Sequence, residues 1–297
     1  MNFIIAAPPY TPRSGGVMVL HELCTALNNL GHNCGLAIIT EGSQANQNFK
    51  FGFSSASDFL DNAGKYFDYF TGKSQDKIDE YIKNACVIYP DIIKGNPLGG
   101  AIFATYVLGK PLYEINSQYI ISYSKIYHSK PDFILYKPFV NEWMSATDTI
   151  HWSERKLNLT YIGKGDGYAK CFLLNGTVLI ERDWPKDKRQ LAELLRNCKY
   201  FFSWDSITAT VTDAVLCGAV PVLLQEDQIS FSELNSGELG PLPNAKFNFV
   251  TQKVEHDSID EIDGYLRAMK NIVSKYQANW LNQVEILVKE LLQLYKK

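Results

Sequence analysis

The sequence lacks the features that mark secreted, membrane-spanning and zinc-binding proteins. Its six cysteines form no C-x-x-C pair and have no zinc-finger spacing with the five histidines. No run of residues approaches the roughly 18 apolar positions of a membrane-spanning helix. The apolar stretch Phe3–Ala7 ends at Pro8 and is too short for the core of a signal peptide. We therefore expect a cytoplasmic protein with reduced, partly buried thiols.

The sequence also lacks an excess of charge of either sign. It has 29 basic and 32 acidic residues, for a net charge of −3. Binding that depends on neutralising phosphates needs a basic surface, so we expect no nucleic-acid partner. Hydrophobic residues at 46% and aromatic residues at 13% argue against disorder. A chain of 297 residues predicts two domains.

Two stretches of alternating strands and helices define the predicted domains. Near the start, Phe3–Ala7 and Leu36–Ile39 are predicted strands, and apolar residues spaced three and four apart from Val17 to Leu30 predict the helix between them. A strand–helix–strand unit of this length implies a parallel sheet. Further along, Ala85–Tyr89 is a predicted strand and Ala101–Leu108 a predicted helix.

The alternation restarts at Leu157 and continues through four predicted strands and two predicted helices. We therefore predict an α/β fold of two doubly wound, Rossmann-like domains that face a cleft. The predicted bounds are 1–150 for the first domain and 151–278 for the second. The apolar stripe of the last segment, 279–297, predicts a helix that packs back toward the N-terminal domain.

Two glycine-rich loops follow predicted strands. Gly15 and Gly16 precede the first helix, and Gly163, Lys164 and Gly165 follow the strand that begins at Leu157. Glycines let the backbone approach an anionic ligand closely, and a lysine between two of them can pair with a phosphate. The alternative interpretation of both loops is an ordinary turn.

Two aspartates are eight residues apart in the middle of the second predicted domain. Asp205 follows a predicted strand, Ser206 and Thr208 stand at the start of the next helix, and Asp213 lies inside that helix. A helix start supplies free N–H groups, although Asp205 or Ser206 can also be a simple N-cap. Capping does not explain Asp213, because aspartate is a weak helix former. A carboxylate at that position can accept hydrogen bonds from ribose hydroxyls.

These residues carry a resemblance to a known superfamily. Asp205-x7-Asp213, followed by Gly218-Ala219-Val220-Pro221-Val222, resembles the nucleotide-sugar signature of GT-B glycosyltransferases, which more often have glutamate at one or both acidic positions. The Gly15-Gly16 loop and the Tyr161–Gly165 strand and loop are similar to the openings of the two GT-B domains. Tyr89-Pro90-Asp91-Ile92, with Gly95-Asn96-Pro97, is similar to a motif of bacterial capsule and O-antigen glycosyltransferases.

The resemblance implies an enzyme that moves a sugar from a nucleotide-sugar donor to a growing surface glycan of capsule, O-antigen or lipooligosaccharide type. The acceptor is then a glycan or a lipid-linked glycan, and the protein can associate peripherally with the inner membrane or with other glycan-assembly proteins. GT-B enzymes generally need no bound metal, which agrees with the lack of an Asp-x-Asp motif, and the resemblance implies no bound cofactor.

The resemblance also assigns roles to residues. Asp213, Lys164 and Arg182 are the candidate catalytic residues, with the two cations opposing the charge that develops on the diphosphate leaving group. The candidate donor-binding residues are Gly15, Gly16, Gly163, Gly165, Asp205, Ser206 and Thr208. His21 is a possible base, and its alternative role is a packed histidine of the first helix. Whether the enzyme retains or inverts the sugar's configuration stays open.

Two other functions compete with glycosyl transfer. A nucleotide-sugar 2-epimerase shares the two-domain fold but needs several ionisable side chains around the sugar. A non-catalytic GT-B subunit would stabilise a partner enzyme and would bind no nucleotide.

Overall fold

The computed structural model describes residues 1–12, 14–54, 70, 72–140, 142–145, 150–163, 173–205, 208–224 and 230–296. The chain forms two compact units, of which the first comprises Met1–Lys137 and Ala278–Lys297 and the second Pro138–Gln277. The chain therefore passes from one unit to the other between Lys137 and Pro138, earlier than the predicted boundary at residue 150.

The elements follow in chain order. The strands are β1 (Asn2–Ala7), β2 (Asn33–Glu41), β3 (Lys50–Ser54), β4 (Ala85–Pro90), β5 (Ile102–Val107), β6 (Tyr119–Ser122), β7 (Phe133–Ile134), β8 (Leu157–Tyr161), β9 (Val178–Ile180), β10 (Cys198–Ser203), β11 (Val220–Leu223), β12 (Ala245–Asn248) and β13 (Lys253–His256). The α-helices are α1 (Gly15–Asn29), α2 (Gln75–Lys83), α3 (Lys188–Asn197), α4 (Ala209–Leu216), α5 (Phe231–Asn235), α6 (Ile259–Ala278) and α7 (Trp280–Tyr295). A short 3-10 helix spans Trp152–Glu154.

The first unit is built on a seven-stranded sheet in the order β3-β2-β1-β4-β5-β6-β7. All neighbouring strands are parallel except β2 and β3, which are antiparallel. Ile4 and Ala6 on β1 pack with Ala37 and Val87 of the neighbouring strands and with Ile82 of α2. β1 and β4 are almost wholly apolar because helices cover parallel sheets on both faces.

The last helix belongs to the first unit. Val284, Leu287 and Leu291 of α7 are buried, and α7 packs against α1. The Tyr119 hydroxyl of β6 donates a hydrogen bond to the Glu290 carboxylate of α7. An apolar stripe at three- and four-residue spacing on a helix is the pattern that such packing requires.

The second unit has a four-stranded parallel sheet in the order β11-β10-β8-β9. α3 and α4 contact each other, and Leu195 of α3 and Ala214 of α4 share a core with Leu159 and Phe201 of the sheet. Ile262, Leu266 and Met269 of α6 pack on a second core cluster of the same unit, and the antiparallel hairpin β12–β13 contributes Ala245 to it.

A buried arginine forms hydrogen bonds to the carboxyl ends of both α3 and α4. Arg155 is 4% exposed, and its guanidinium donates to the carbonyl oxygens of Leu195, Cys198 and Cys217. Leu195 lies in the last turn of α3 and Cys217 caps α4. A cation is favourable at helix carboxyl ends, where the free carbonyls carry partial negative charge.

In both sheets, the order in which the chain adds strands reverses next to the first strand. In the first unit the chain moves from β1 to β2 and then crosses to β4 on the other side of β1. In the second unit it moves from β8 to β9 and then crosses to β10 on the other side of β8. In open α/β sheets, ligands bind beside the carboxyl ends of the strands at such switch points.

The two parallel α/β units confirm the predicted fold class. One prediction within the first unit is wrong, because Ala101–Leu108 is not a helix and β5 occupies Ile102–Val107. The sequence of β5 is rich in β-branched and aromatic residues, and all of it except Phe103 is buried. A short apolar run of this kind fits a buried strand as well as a helix, and its composition favours the strand.

Candidate functional site

Asp205 lies at the switch point of the second unit. It lies two residues after the end of β10 and is 2% exposed. The Ser203 hydroxyl donates to the Asp205 carbonyl at 2.7 Å, and the Asp205 N–H donates back to that hydroxyl at 3.3 Å. The Trp204 N–H donates to the Tyr161 carbonyl of β8 at 2.9 Å. The carboxylate is therefore carried on a turn that hydrogen bonds fix to both strands of the switch point.

Gly163 lies against this carboxylate. Its φ of +56° is a left-handed conformation that favours glycine. A Cβ atom at this position would come within 2.9 Å of Asp205 Oδ2 and within 2.5 Å of the Tyr161 ring. Because Gly163 has no side chain, the loop after β8 approaches the Asp205 carboxylate more closely than it could with any other residue at this position. The structure brings together Gly163 and Asp205, two of the predicted donor-binding residues.

Thr208 is the N-cap of α4. Its side chain accepts a hydrogen bond from the Thr210 N–H at 3.2 Å. Asp205 is therefore not the cap of this helix, which decides one of the alternatives that the sequence left open. Thr208 was predicted to bind the donor, and here its hydroxyl oxygen satisfies a backbone N–H of the first turn.

The Asp213 carboxylate has a side-chain partner within the chain that the sequence did not reveal. It lies inside α4, is 6% exposed, and has Oδ2 3.6 Å from Nζ of Lys188 at the start of α3. Burial raises the pKa of the Asp213 carboxyl to about 6, and the nearby ammonium of Lys188 opposes the shift. The carboxylate contacts the ammonium at the α3–α4 interface, while Lys188 itself is 44% exposed.

The remaining predicted residues of the second unit are exposed or lie outside the described ranges. Arg182 is exposed in the turn that is closed by the bridge between Glu181 and Trp184, directly after β9. This turn follows a strand, so Arg182 is at the same edge of the sheet as Asp205. Lys164, Gly165 and Ser206 are outside the described residues.

The glycines of the first unit stand at the amino end of α1. Ser14 caps the helix by accepting from the Val17 N–H at 3.4 Å. A Cβ atom on Gly16 would lie 3.4 Å from the Leu108 side chain, which follows β5, whereas the space around Gly15 is open. Both glycines are close to the carboxyl end of β1, at the switch point of this sheet.

His21 is buried on α1 and is held in one tautomer. Its Nε2 is 3.0 Å from the Pro8 carbonyl oxygen, which can only accept a hydrogen bond. Nε2 therefore carries the proton, and the lone pair of the neutral ring is on Nδ1. Burial lowers the pKa of His21, so the neutral form predominates at pH 7. The Tyr10 ring packs edge-on against the imidazole at 5.4 Å.

Lys137 is a polar residue of this region that the sequence did not single out. Its Nζ is 2.8 Å from the Glu22 carboxylate of α1 and 4.9 Å from the centre of the Trp280 ring of α7. The Tyr123 hydroxyl donates to the Lys137 carbonyl oxygen at 2.7 Å. These contacts join four separate segments of the first unit, so no local sequence signal could have identified them.

The Tyr89–Asn96 motif has a structural explanation. The Tyr89 hydroxyl donates to the Asn96 amide oxygen at 3.0 Å and accepts from the Leu98 N–H at 2.9 Å. The same amide oxygen accepts from the Gly100 N–H at 3.1 Å. Tyr89 and Asn96 therefore organise the loop between β4 and β5.

Neither a metal cluster nor a membrane span is present in the part of the chain that the structure describes. Its acidic, histidine and cysteine side chains form no group of three or more that could hold a metal ion. None of its helices combines the length and the apolar character needed to cross a bilayer.

No family model matches the chain, and no curated protein does. Solved structures with a similar arrangement of strands and helices include glycosyltransferase VinC in complex with dTDP, at 11% identity, 100% coverage of both chains and a TM-score of 0.47. An α-glucosyltransferase in complex with UDP and DNA matches at 9% identity, 100% coverage of both chains and a TM-score of 0.43. A UDP-GlcNAc 2-epimerase from Neisseria meningitidis matches at 12% identity over 99% of this chain and 100% of that one, with a TM-score of 0.44.

Proposed function

We propose that the chain is a cytoplasmic glycosyltransferase that binds a nucleotide-sugar donor in its second unit. The sugar passes to a growing surface glycan of capsule, O-antigen or lipooligosaccharide type, free or lipid-linked, at the inner face of the membrane. The observation that carries this proposal is the buried Asp205 carboxylate, which stands against Gly163 at the switch point between β8 and β10.

The chemistry of a nucleotide sugar fits a carboxylate in this position. Sugar and ribose hydroxyls donate hydrogen bonds, and a buried ionised acceptor binds them more strongly than an exposed one. Gly163 leaves room above the carboxylate because it has no side chain. Asp205 is thus suited to fix a polyhydroxylated ligand at the sheet edge.

The leaving group requires positive potential. As the bond to the sugar breaks, negative charge grows on the nucleoside diphosphate, and preorganised donors stabilise that charge. The candidates are the amino end of α4, which is the positive end of the helix dipole, and the cations Lys164 and Arg182. Asp213 with Lys188 flanks this region as a candidate contact for the donor ribose. The donor is a substrate, and the proposed reaction uses no bound cofactor or metal.

Calorimetry with nucleotides tests the proposal directly. UDP, GDP, CMP and ADP are titrated into the wild-type protein and the Asp205→Asn variant. We expect one nucleotide to bind the wild type, and the variant to lose about tenfold in affinity for that nucleotide, about 1.4 kcal/mol. If no nucleotide binds, the donor site is wrong and a non-catalytic subunit becomes the better interpretation.

A second assay separates transfer from epimerisation. The protein is incubated with the nucleotide sugar that binds best, without acceptor, and the sugar is examined by NMR. A transferase leaves its configuration at C2 unchanged. Formation of the C2 stereoisomer would instead identify an epimerase.

A further inference from the structure

A serine, a histidine and an aspartate are linked in series in the second unit, at the edge of the sheet opposite to Asp205. Ser153 Oγ is 2.7 Å from His151 Nδ1, and His151 Nε2 is 2.8 Å from Asp263 Oδ2. Ser153 and His151 precede β8, and Asp263 lies on α6. Asp205 and Gly163 follow their strands, so the three residues belong to a different part of the unit.

The hydrogen-bond chemistry gives each of the three residues one role. The Asp263 carboxylate can only accept, so His151 Nε2 carries the proton of this hydrogen bond. Nδ1 is then the acceptor, and the Ser153 hydroxyl donates to it. A hydroxyl that donates to an imidazole, which in turn donates to a carboxylate, can activate a serine nucleophile, although here the two ring nitrogens are exchanged relative to the usual triad.

Capping of the 3-10 helix accounts for only part of this arrangement. The Ser153 N–H is 3.4 Å from His151 Nδ1, and this contact caps the helix. A cap needs neither the Ser153 hydroxyl nor the carboxylate of Asp263. The 2.7 Å bond joins residues two positions apart, whereas the 2.8 Å bond joins residues 112 positions apart in the sequence.

The surrounding contacts hold the carboxylate and the serine backbone in place. The buried Trp152 donates its indole N–H to Asp263 Oδ1 at 2.7 Å, so both carboxylate oxygens are engaged. Lys199 Nζ donates to the Ser153 carbonyl oxygen at 2.9 Å and places a positive charge at the same residue. The His151 side chain is 42% exposed, so a small molecule can reach the pair from solvent.

We propose that Ser153, His151 and Asp263 form a nucleophilic centre that hydrolyses small carboxylic esters. Ser153 Oγ bonds to the carbonyl carbon while its proton moves to His151 Nδ1, and the carbonyl oxygen takes up the negative charge. The bond to the ester oxygen then breaks, and the leaving alcohol takes the proton from Nδ1. Water repeats the sequence on the acyl-serine and releases the acid. Asp263 accepts the Nε2–H bond throughout and keeps that N–H in position.

Hydrolysis of p-nitrophenyl acetate by the purified full chain tests the proposal. We expect a rate above the buffer background that falls about tenfold or more in Ser153→Ala and in His151→Asn. Asp263→Asn keeps an oxygen for Trp152 but removes the charge, so it should give an intermediate loss. The matched controls are Ser236→Ala, an exposed serine bonded to the Glu233 carbonyl, and His256→Asn, which packs on Trp152. Both should stay within about twofold of wild type.

Covalent labelling makes the result independent of variant stability. A fluorophosphonate ester is incubated with the wild-type chain, and the modified peptide is identified by mass spectrometry. We expect the label on Ser153, because phosphorus takes the place of the acyl carbon and fluoride leaves. A label on another residue, no label, or full hydrolysis by a folded Ser153→Ala variant overturns the proposal.

Discussion

Gly163 and Asp205 are so close that a single methyl group on Gly163 would come within 2.9 Å of the Asp205 carboxylate. The two residues follow neighbouring parallel strands, β8 and β10, and are 42 positions apart in the sequence. The glycine is required twice, once for its φ of +56° and once for the space above the carboxylate. The backbone at Gly163, in the loop after β8, therefore lines one side of the Asp205 carboxylate.

This relationship predicts that Gly163→Ala damages the donor site as well as the fold. The left-handed φ costs an alanine about 1–2 kcal/mol. The contact with Asp205 and Tyr161 adds to this cost and displaces the carboxylate. We expect nucleotide affinity to fall about tenfold or more, as measured by calorimetry.

Gly176→Ala is the matched control for this variant. Gly176 has a φ of +75°, and its Cβ would meet nothing within 4 Å. It should therefore carry only the conformational cost, about 1–2 kcal/mol in urea unfolding, with unchanged nucleotide affinity. Equal effects of the two substitutions on nucleotide affinity would remove Gly163 from the site.

The sequence predicted each residue separately as donor-binding, and both follow apolar strands. Parallel strands bring their carboxyl ends to one sheet edge, so a Gly-rich loop and an aspartate after two such strands are expected to be neighbours. Strand order decides whether they touch, and strand order depends on long-range packing. The alternation of elements predicted the architecture of each unit, but it did not predict β3, the hairpin β12–β13 or the strand at Ile102–Val107.

The partners of charged side chains were the least predictable part of the site. Lys188 precedes Asp213 by 25 positions, and Lys137 is 115 positions from Glu22. Neither separation is a helical or strand period, so no local pattern links these residues. The N-cap of α4 could not be predicted from the sequence either, because Asp205, Ser206 and Thr208 all have suitable side chains.

The partly buried pair of Glu22 and Lys137 should stabilise the first unit measurably. Its side chains are 31% and 16% exposed, and the ammonium also contacts the Trp280 ring. A double-mutant cycle of Glu22→Gln and Lys137→Met, measured by urea unfolding, should give a coupling of about 1 kcal/mol. The exposed pair of Glu285 and Lys289, at the same 2.8 Å separation, should give a smaller coupling. A larger coupling for the exposed pair would contradict this assignment.

The cysteines should be unreactive in the folded protein. Cys24, Cys34, Cys86, Cys198 and Cys217 are all buried. Burial raises the pKa of Cys86 to about 12 and that of Cys217 to about 12, so almost no thiolate is present at pH 8. We expect an aromatic disulfide reagent to modify no more than one of the six thiols quickly, and all six in denaturant. Rapid reaction of two or more thiols in the native chain would show that this core opens.

Asp213 should make stability depend on pH in a direction set by its raised pKa. Its value is about 6 in the folded chain against 3.8 as the reference, so between about pH 4 and 6 the folded state binds more protons than the unfolded state. The stability contributed by this group therefore falls as pH rises through that window. Asp213→Asn removes the effect, and its free energy of unfolding relative to wild type should rise from pH 4.5 to pH 7 by on the order of 2 kcal/mol.

A second variant checks the origin of this pH dependence, and a transfer assay checks the role of Asp213 in donor binding. The Lys188 ammonium lowers the pKa of Asp213, so Lys188→Met should move the window to higher pH. Urea unfolding at four pH values between 4.5 and 7.5 measures both variants against wild type. If the difference in unfolding free energy between Asp213→Asn and wild type does not change with pH, Asp213 is ionised throughout this range. In the assay of sugar transfer, Asp213→Asn should lose about tenfold in kcat/KM, about 1.4 kcal/mol. Full transfer activity in this variant would leave the Lys188 pair as the function of the carboxylate and would remove Asp213 from the donor site.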